Sequence, residues 1–141
     1  MKRPIFVLTS MLALAACGTS QISPEQADPV PAERLYGFTQ KAANNDAAVT
    51  VIRDSGFYGS GCGLVVRIDG KRATMLNAGE VATLYVSAGE HTIGVGISGQ
   101  GLCAGMVEKT IDMILKPNQS RSYRVSVDQT GYQISPYVFN R

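Results

Sequence analysis

A chain of 141 residues with 13 basic and 11 acidic side chains, one histidine and no tryptophan is close to neutral. That is enough for one domain with a modest core, and it excludes the strongly basic footprint that nucleic acid requires. Beyond the first residues, no apolar run approaches the roughly 18 residues of a membrane helix.

Lys2 and Arg3 open the chain, followed by an apolar segment that ends in Leu14-Ala15-Ala16-Cys17. A basic start, a short apolar stretch and small residues before a cleavage point make a bacterial secretion signal. A cysteine right after the small pair turns that signal into a lipoprotein box. Ala15 and Ala16 let a peptidase approach the backbone, and the Cys17 thiol is the nucleophile there able to carry a diacylglycerol. Residues 1–16 are thus expected to be removed, leaving Cys17 lipidated at the new terminus. Loss of Lys2 and Arg3 brings the basic count down to the acidic one, so the processed chain has no formal charge. Each buried methylene contributes about 0.8 kcal/mol, and two or more acyl chains of the palmitate type make the anchor durable. Residue 18 is Gly rather than Asp. By the sorting rule of enterobacterial lipoproteins this resembles an outer-membrane address, with the periplasmic face the expected side.

Residues 17–31 hold Gly, Thr, Ser, Gln and three prolines without an apolar period, and they read as a lipidated, flexible tether. Extended, such a segment reaches at most about 45–50 Å. Residues 32–47 stay open between a short helix and an edge strand, with Leu35, Tyr36 and Phe38 as its apolar positions and a turn at 41–46. From 48 onward the period is two. Strands are expected at 48–53, 64–68, 73–77, 81–86, 91–97, 107–115, 121–128 and 132–134. Asp69-Gly70 marks a tight hairpin, since both positions tolerate positive φ. Gly94 and Gly96 within one strand point to a bulge or a close backbone approach. Seven or eight short strands at turn spacings near ten residues predict an all-β fold, an antiparallel β-sandwich spanning 32–141.

With Cys17 taken by lipid, Cys62 and Cys103 remain as a pair in an oxidising compartment, and a structural disulfide is expected. Closing that loop contributes about 3–4 kcal/mol in the entropic model. The competing reading is a reactive Cys62 in the Gly59-Ser60-Gly61-Cys62-Gly63 turn. A thiol nucleophile needs a base, and His91 is the one histidine available. Nothing in the sequence places it beside Cys62, and no enzyme is expected. One His and two separated Cys lack metal-ligand spacing, so neither a metal nor another cofactor is expected. The Asp54-Ser55-Gly56-Phe57-Tyr58 loop has two readings. In the first, Phe57 or Tyr58 packs over the core edge. In the second, Asp54, Ser55, Phe57 and Tyr58 form a partner-binding tip, as exposed aromatics do at interfaces.

The segment 65–127 resembles the small PEGA-type β-sandwich. The likeness lies in Ile68-Asp69-Gly70, in Gly89-Glu90-His91 before Ile93, and in Leu115-Lys116-Pro117-Asn118-Gln119. Residues 47–128 also look like a group of proteobacterial lipoproteins with a domain of unknown function, through Arg53-Asp54-Ser55-Gly56 and Gly59-Ser60-Gly61-Cys62. The resemblance implies a sandwich and an envelope location, and it brings no catalytic residues with it. A non-enzymatic envelope module is the resulting expectation, with another envelope protein or a glycan as partner and the membrane reached through Cys17. The alternative is an inhibitor of a lysozyme-like hydrolase presenting the loop at 55–58.

Overall fold

The computed structural model describes residues 18–99, Cys103 and residues 107–138. The signal and Cys17 lie outside the described residues. Among these residues, nine strands form two packed sheets: β1 (Asp28–Pro29), β2 (Ala47–Arg53), β3 (Gly63–Ile68), β4 (Lys71–Leu76), β5 (Glu80–Val86), β6 (Gly89–Ser98), β7 (Lys109–Leu115), β8 (Ser120–Asp128) and β9 (Gly131–Pro136). One sheet has the order β1-β5-β2-β8-β9 and the other β4-β3-β6-β7. The eight expected strands all form, and β1 is an unforeseen ninth.

Alternation places the core. Val49 and Val51 of β2, Leu84 and Val86 of β5, and Tyr123, Val125 and Val127 of β8 face inward and are buried. They meet Leu64, Val66 and Ile68 of β3, Ile93 and Val95 of β6, and Met113 and Leu115 of β7 in one cluster. Burying each such side chain contributes about 1.5–3 kcal/mol. The Asp69-Gly70 turn has φ of 50° and 74°, as a tight hairpin demands. In β6 the paired glycines serve a close approach. A Cβ on Gly94 would lie 2.1 Å from Glu108 Oε1, and one on Gly96 would lie 3.4 Å from Arg67 Nη1. The Arg67–Glu108 ion pair (3.0 Å) therefore lies across the strand where side chains are missing.

Three features depart from the sequence reading. First, the pairing is mixed rather than antiparallel throughout: β2 runs parallel to β8, and β1 parallel to β5. Alternation reports which face is buried but not the direction of a neighbour, and the long chain between β2 and β8 permits a parallel crossover. Second, residues 32–47 are neither one helix nor one strand. A 3₁₀ turn (Ala32–Arg34) is followed by a bridge from Leu35 to Thr74 of β4 and a hydrogen bond from the Tyr85 N–H to the Phe38 carbonyl (2.7 Å). The segment thus bridges β4 and β5, which belong to different sheets.

Third, the expected tether is a strap. Gly18 bridges to Asp128, Ser20 to Ser55, and Asp28–Pro29 pairs with β5. Ser23, Ala27 and Val30 are buried. Ile52 lies on the opposite face of β2 from Val49 and Val51, outside the main core cluster, yet it is fully buried. The prolines that suggested a free linker are compatible with an edge, where a missing N–H costs no ladder bond. Backbone bonds to β8, to Ser55 just beyond β2 and to β5 outweigh the weak apolar signal of the strap.

Candidate functional site

One end of the sandwich gathers the end of β2 with the loop at 54–62, the 77–79 turn, the β8–β9 hairpin, Cys103 and the first residues of the strap. Arg53 organises it from beneath. It follows Val49 and Val51 on the inward face and is 1% exposed. Its guanidinium donates to the carbonyls of Gly59 (2.7 Å), Cys62 (2.7 Å) and Leu76 (2.9 Å). Burial pushes its pKa down to about 10, opposed by the nearby Glu80 charge, so the group stays cationic at neutral pH. Its Nε has no partner among the described residues.

Cys62 and Cys103 form a disulfide with Cα atoms 5.7 Å apart. The sulfur of Cys62 is therefore bonded. His91 is not beside it. β3 and β6 are antiparallel with Gly63 opposite Ser98 and Ile68 opposite Ile93, which puts His91 about 25 Å away along the strand. There the His91 ring joins the hairpin turns, with Nδ1 2.7 Å from Asp69 Oδ2 and Nε2 3.0 Å from the Ser87 carbonyl. Burial works against the Asp69 charge. Hydrogen bonds from His91 and from the Thr92 N–H outweigh it and hold the carboxyl below its usual range. A cavity of about 420 Å³ opens at that far end, lined by Asp69, His91, Asp112 and Met113 among others.

The loop residues singled out in the sequence separate into two kinds. Asp54 is fully buried, which removes it from any partner-binding tip. It accepts two bonds from Arg124 (2.7 and 2.6 Å) and one from the Thr19 hydroxyl (3.0 Å). A buried carboxylate needs such partners, and its position at the strand end brings Arg124 and the strap within reach. Ser55 exchanges backbone bonds with Ser20 in both directions (2.8 and 3.0 Å). Gly56 has φ of 129°, and a Cβ there would lie 3.4 Å from the Thr19 Cα, so glycine is required. Phe57 does not pack over the core edge. It is 95% exposed, and Tyr58 is 40% exposed. Loop geometry decides this, because the bonds that pin 54–56 and 59–62 leave the two aromatics at the outward bend. Arg53, Thr19 and Arg124 were not found from the sequence, although the inward register of Arg53 with Val49 and Val51 was a usable signal.

The 77–79 turn closes the site. The Gly79 N–H donates to the carbonyls of Arg53 and Asp54 (3.2 and 3.1 Å). Glu80 accepts from Arg34 (2.6 Å) and from the Asn77 N–H (2.7 Å). Burial raises the pKa of Glu80, but these bonds and the charges of Arg34 and Arg53 outweigh it and depress the carboxyl. A folded pKa below the unfolded value of about 4.3 gives stability that is complete above that value. It is lost as pH falls through the folded pKa. Glu80→Gln is therefore expected to weaken the domain near neutral pH and to flatten part of its acid sensitivity below about pH 5. Urea melts at about pH 7 and about pH 3 check this. Equal acid loss in both proteins would rule the pair out as a contributor.

Residues 1–17 match the family described as prokaryotic membrane lipoprotein lipid attachment site. No curated protein and no solved structure matches the chain. The protein is thus a membrane-anchored bacterial lipoprotein by its attachment site, with Cys17 at the last matched position. Among the described residues no helix is long and apolar enough to cross a membrane.

Proposed function

We propose that the protein is a non-enzymatic envelope module: a stapled β-sandwich held on the periplasmic face of the outer membrane by its lipid, serving as a binding or structural platform for another envelope protein or a glycan. One observation carries this reading. Gly18, next to the lipid-bearing residue, already lies in register with Asp128, and the following Thr19 N–H donates to the Val127 carbonyl (3.1 Å). The domain is therefore a rigid body carried directly on its anchor. The disulfide also supports it, since a bonded Cys62 sulfur offers no nucleophile. The turn motifs that resemble PEGA-type sandwiches support an envelope location, which is what that resemblance implies.

Gly18→Asp tests the outer-membrane address. A Cβ at Gly18 meets nothing within 4 Å, so the domain should fold unchanged. Density-gradient fractionation is expected to show the wild type with outer membranes and the variant with inner membranes. A variant that stays with outer membranes would remove the sorting argument.

The exposed Phe57 on a pinned loop favours one second reading, an inhibitor of a lysozyme-like hydrolase. Residues 18–141 added to lysozyme at micromolar concentration decide it, because absence of inhibition ends that reading.

A further inference from the structure

We infer that the loop carrying Phe57 and Tyr58 is a membrane-contacting surface, seated in the interfacial region of the same leaflet that holds the lipid. The inference rests on the lipid anchor and adds an orientation to it. It starts from where the strap begins. The Thr19 N–H donates to the Val127 carbonyl (3.1 Å), and the Thr19 hydroxyl donates to Asp54. Cys17 is then two residues from a fixed atom. Consecutive Cα atoms are about 3.8 Å apart, so two residues keep the lipid-bearing position within about 8 Å of Thr19, close to the β8–β9 hairpin.

The side chains at this end fit that neighbour. Gly56 packs on Gly18 and Thr19, which puts Phe57 next to the lipid exit. Val107, 79% exposed, has its carbonyl bonded by the Tyr132 hydroxyl, and Tyr132 lies opposite Val127 in the same hairpin. An aromatic exposed at 95% contributes nothing to the core. Rings with an apolar body, and Tyr with its polar tip, are the side chains that collect at the water–bilayer boundary. Charge does not oppose the contact. Asp54 is matched by Arg124 and Glu108 by Arg67, while exposed Lys109 and half-buried Asp128 contribute one charge of each sign. The disulfide and Arg53 hold the loop in place, so the aromatics are presented without an ordering cost at the surface.

The chain has no tryptophan, so a single introduced indole reports its own surroundings. Lipidated Phe57→Trp and Ile114→Trp are reconstituted into vesicles of phosphatidylethanolamine and phosphatidylglycerol, with and without bromine-labelled acyl chains. Ile114 is 60% exposed at the far end, opposite Glu90, and serves as the aqueous reference. The expected result is blue-shifted emission at position 57, quenching by the brominated lipid, and several-fold weaker quenching by aqueous iodide than at position 114. Protein that floats with the vesicles while position 57 stays as open to iodide as position 114 overturns the inference alone. It would leave the loop in water, where a protein partner can reach it. Lipid quenching at position 114 in place of 57 overturns it as well. Protein that does not float overturns the anchor and the inference together.

Discussion

Replacing Arg53 with methionine is expected to destabilise the domain by about 2–4 kcal/mol and to loosen the loop at 54–62 before the rest of the sandwich. The guanidinium satisfies three carbonyls at once, and the Leu76 bond is fully buried. Methionine fills much of the volume but donates nothing. Each orphaned buried acceptor costs about 1–3 kcal/mol. Against this stands relief of the burial that depresses the Arg53 pKa to about 10. That relief belongs to one group and the loss to three, so the loss wins. Lysine carries the charge without the planar fork and should recover only part of the stability. Hydrogen exchange distinguishes the local effect: amides at 60 and 62, which bond within the loop, should exchange faster while those of β6 and β7 keep pace with global stability. A loss below about 1 kcal/mol would show that the carbonyls find other partners.

The second large effect belongs to the disulfide. Cys62→Ser with Cys103→Ser is expected to remove about 3–4 kcal/mol, as the entropic model gives for a sequence separation of 41. For a domain of this size that corresponds to roughly 15 °C in Tm. Reduction of the wild type should reproduce the shift, because the constraint removed is the same. Calorimetry of oxidised, reduced and doubly substituted protein provides the comparison. An unchanged Tm would place the stability of this end in Arg53 and the Asp54–Arg124 pair alone. The two predictions are coupled, since the Cys62 carbonyl is one of the three acceptors of Arg53. A combined variant should therefore lose less than the two separate losses added together.

These expectations converge on the end of the sandwich that bears the lipid. If that end faces the bilayer, the opposite end is the part presented to the periplasm. There the Asp69 carboxyl gathers His91 and the Thr92 N–H around the β3–β4 and β5–β6 turns. Any partner that meets the anchored protein from the aqueous side would approach those turns or the outward sheet faces. The inhibitor reading requires the reverse, with Phe57 in water. The tryptophan experiment and the lysozyme assay therefore bear on the same question from two directions.

The sequence alone determined what depends on near neighbours. Period-two alternation in 121–128 gives β8 and its inward Tyr123, Val125 and Val127 because side chains of a strand take opposite faces in turn. Asp69-Gly70 fixed a hairpin through backbone sterics confined to two residues. The Leu-Ala-Ala-Cys box fixed the anchor because a peptidase and an acyltransferase read a short extended segment, and parity of the remaining cysteines gave the disulfide. Only the tertiary structure decided the fate of 18–30, the buried ion pair of Asp54, and the parallel union of β2 with β8. Their causes are partners far away in the chain: Asp128 for Gly18, Arg124 for Asp54, residues 120–125 for β2. A carboxylate in a polar loop has the same local signature whether it faces water or a guanidinium. What separates the two cases is the free energy of a contact that exists only once the sheets have closed.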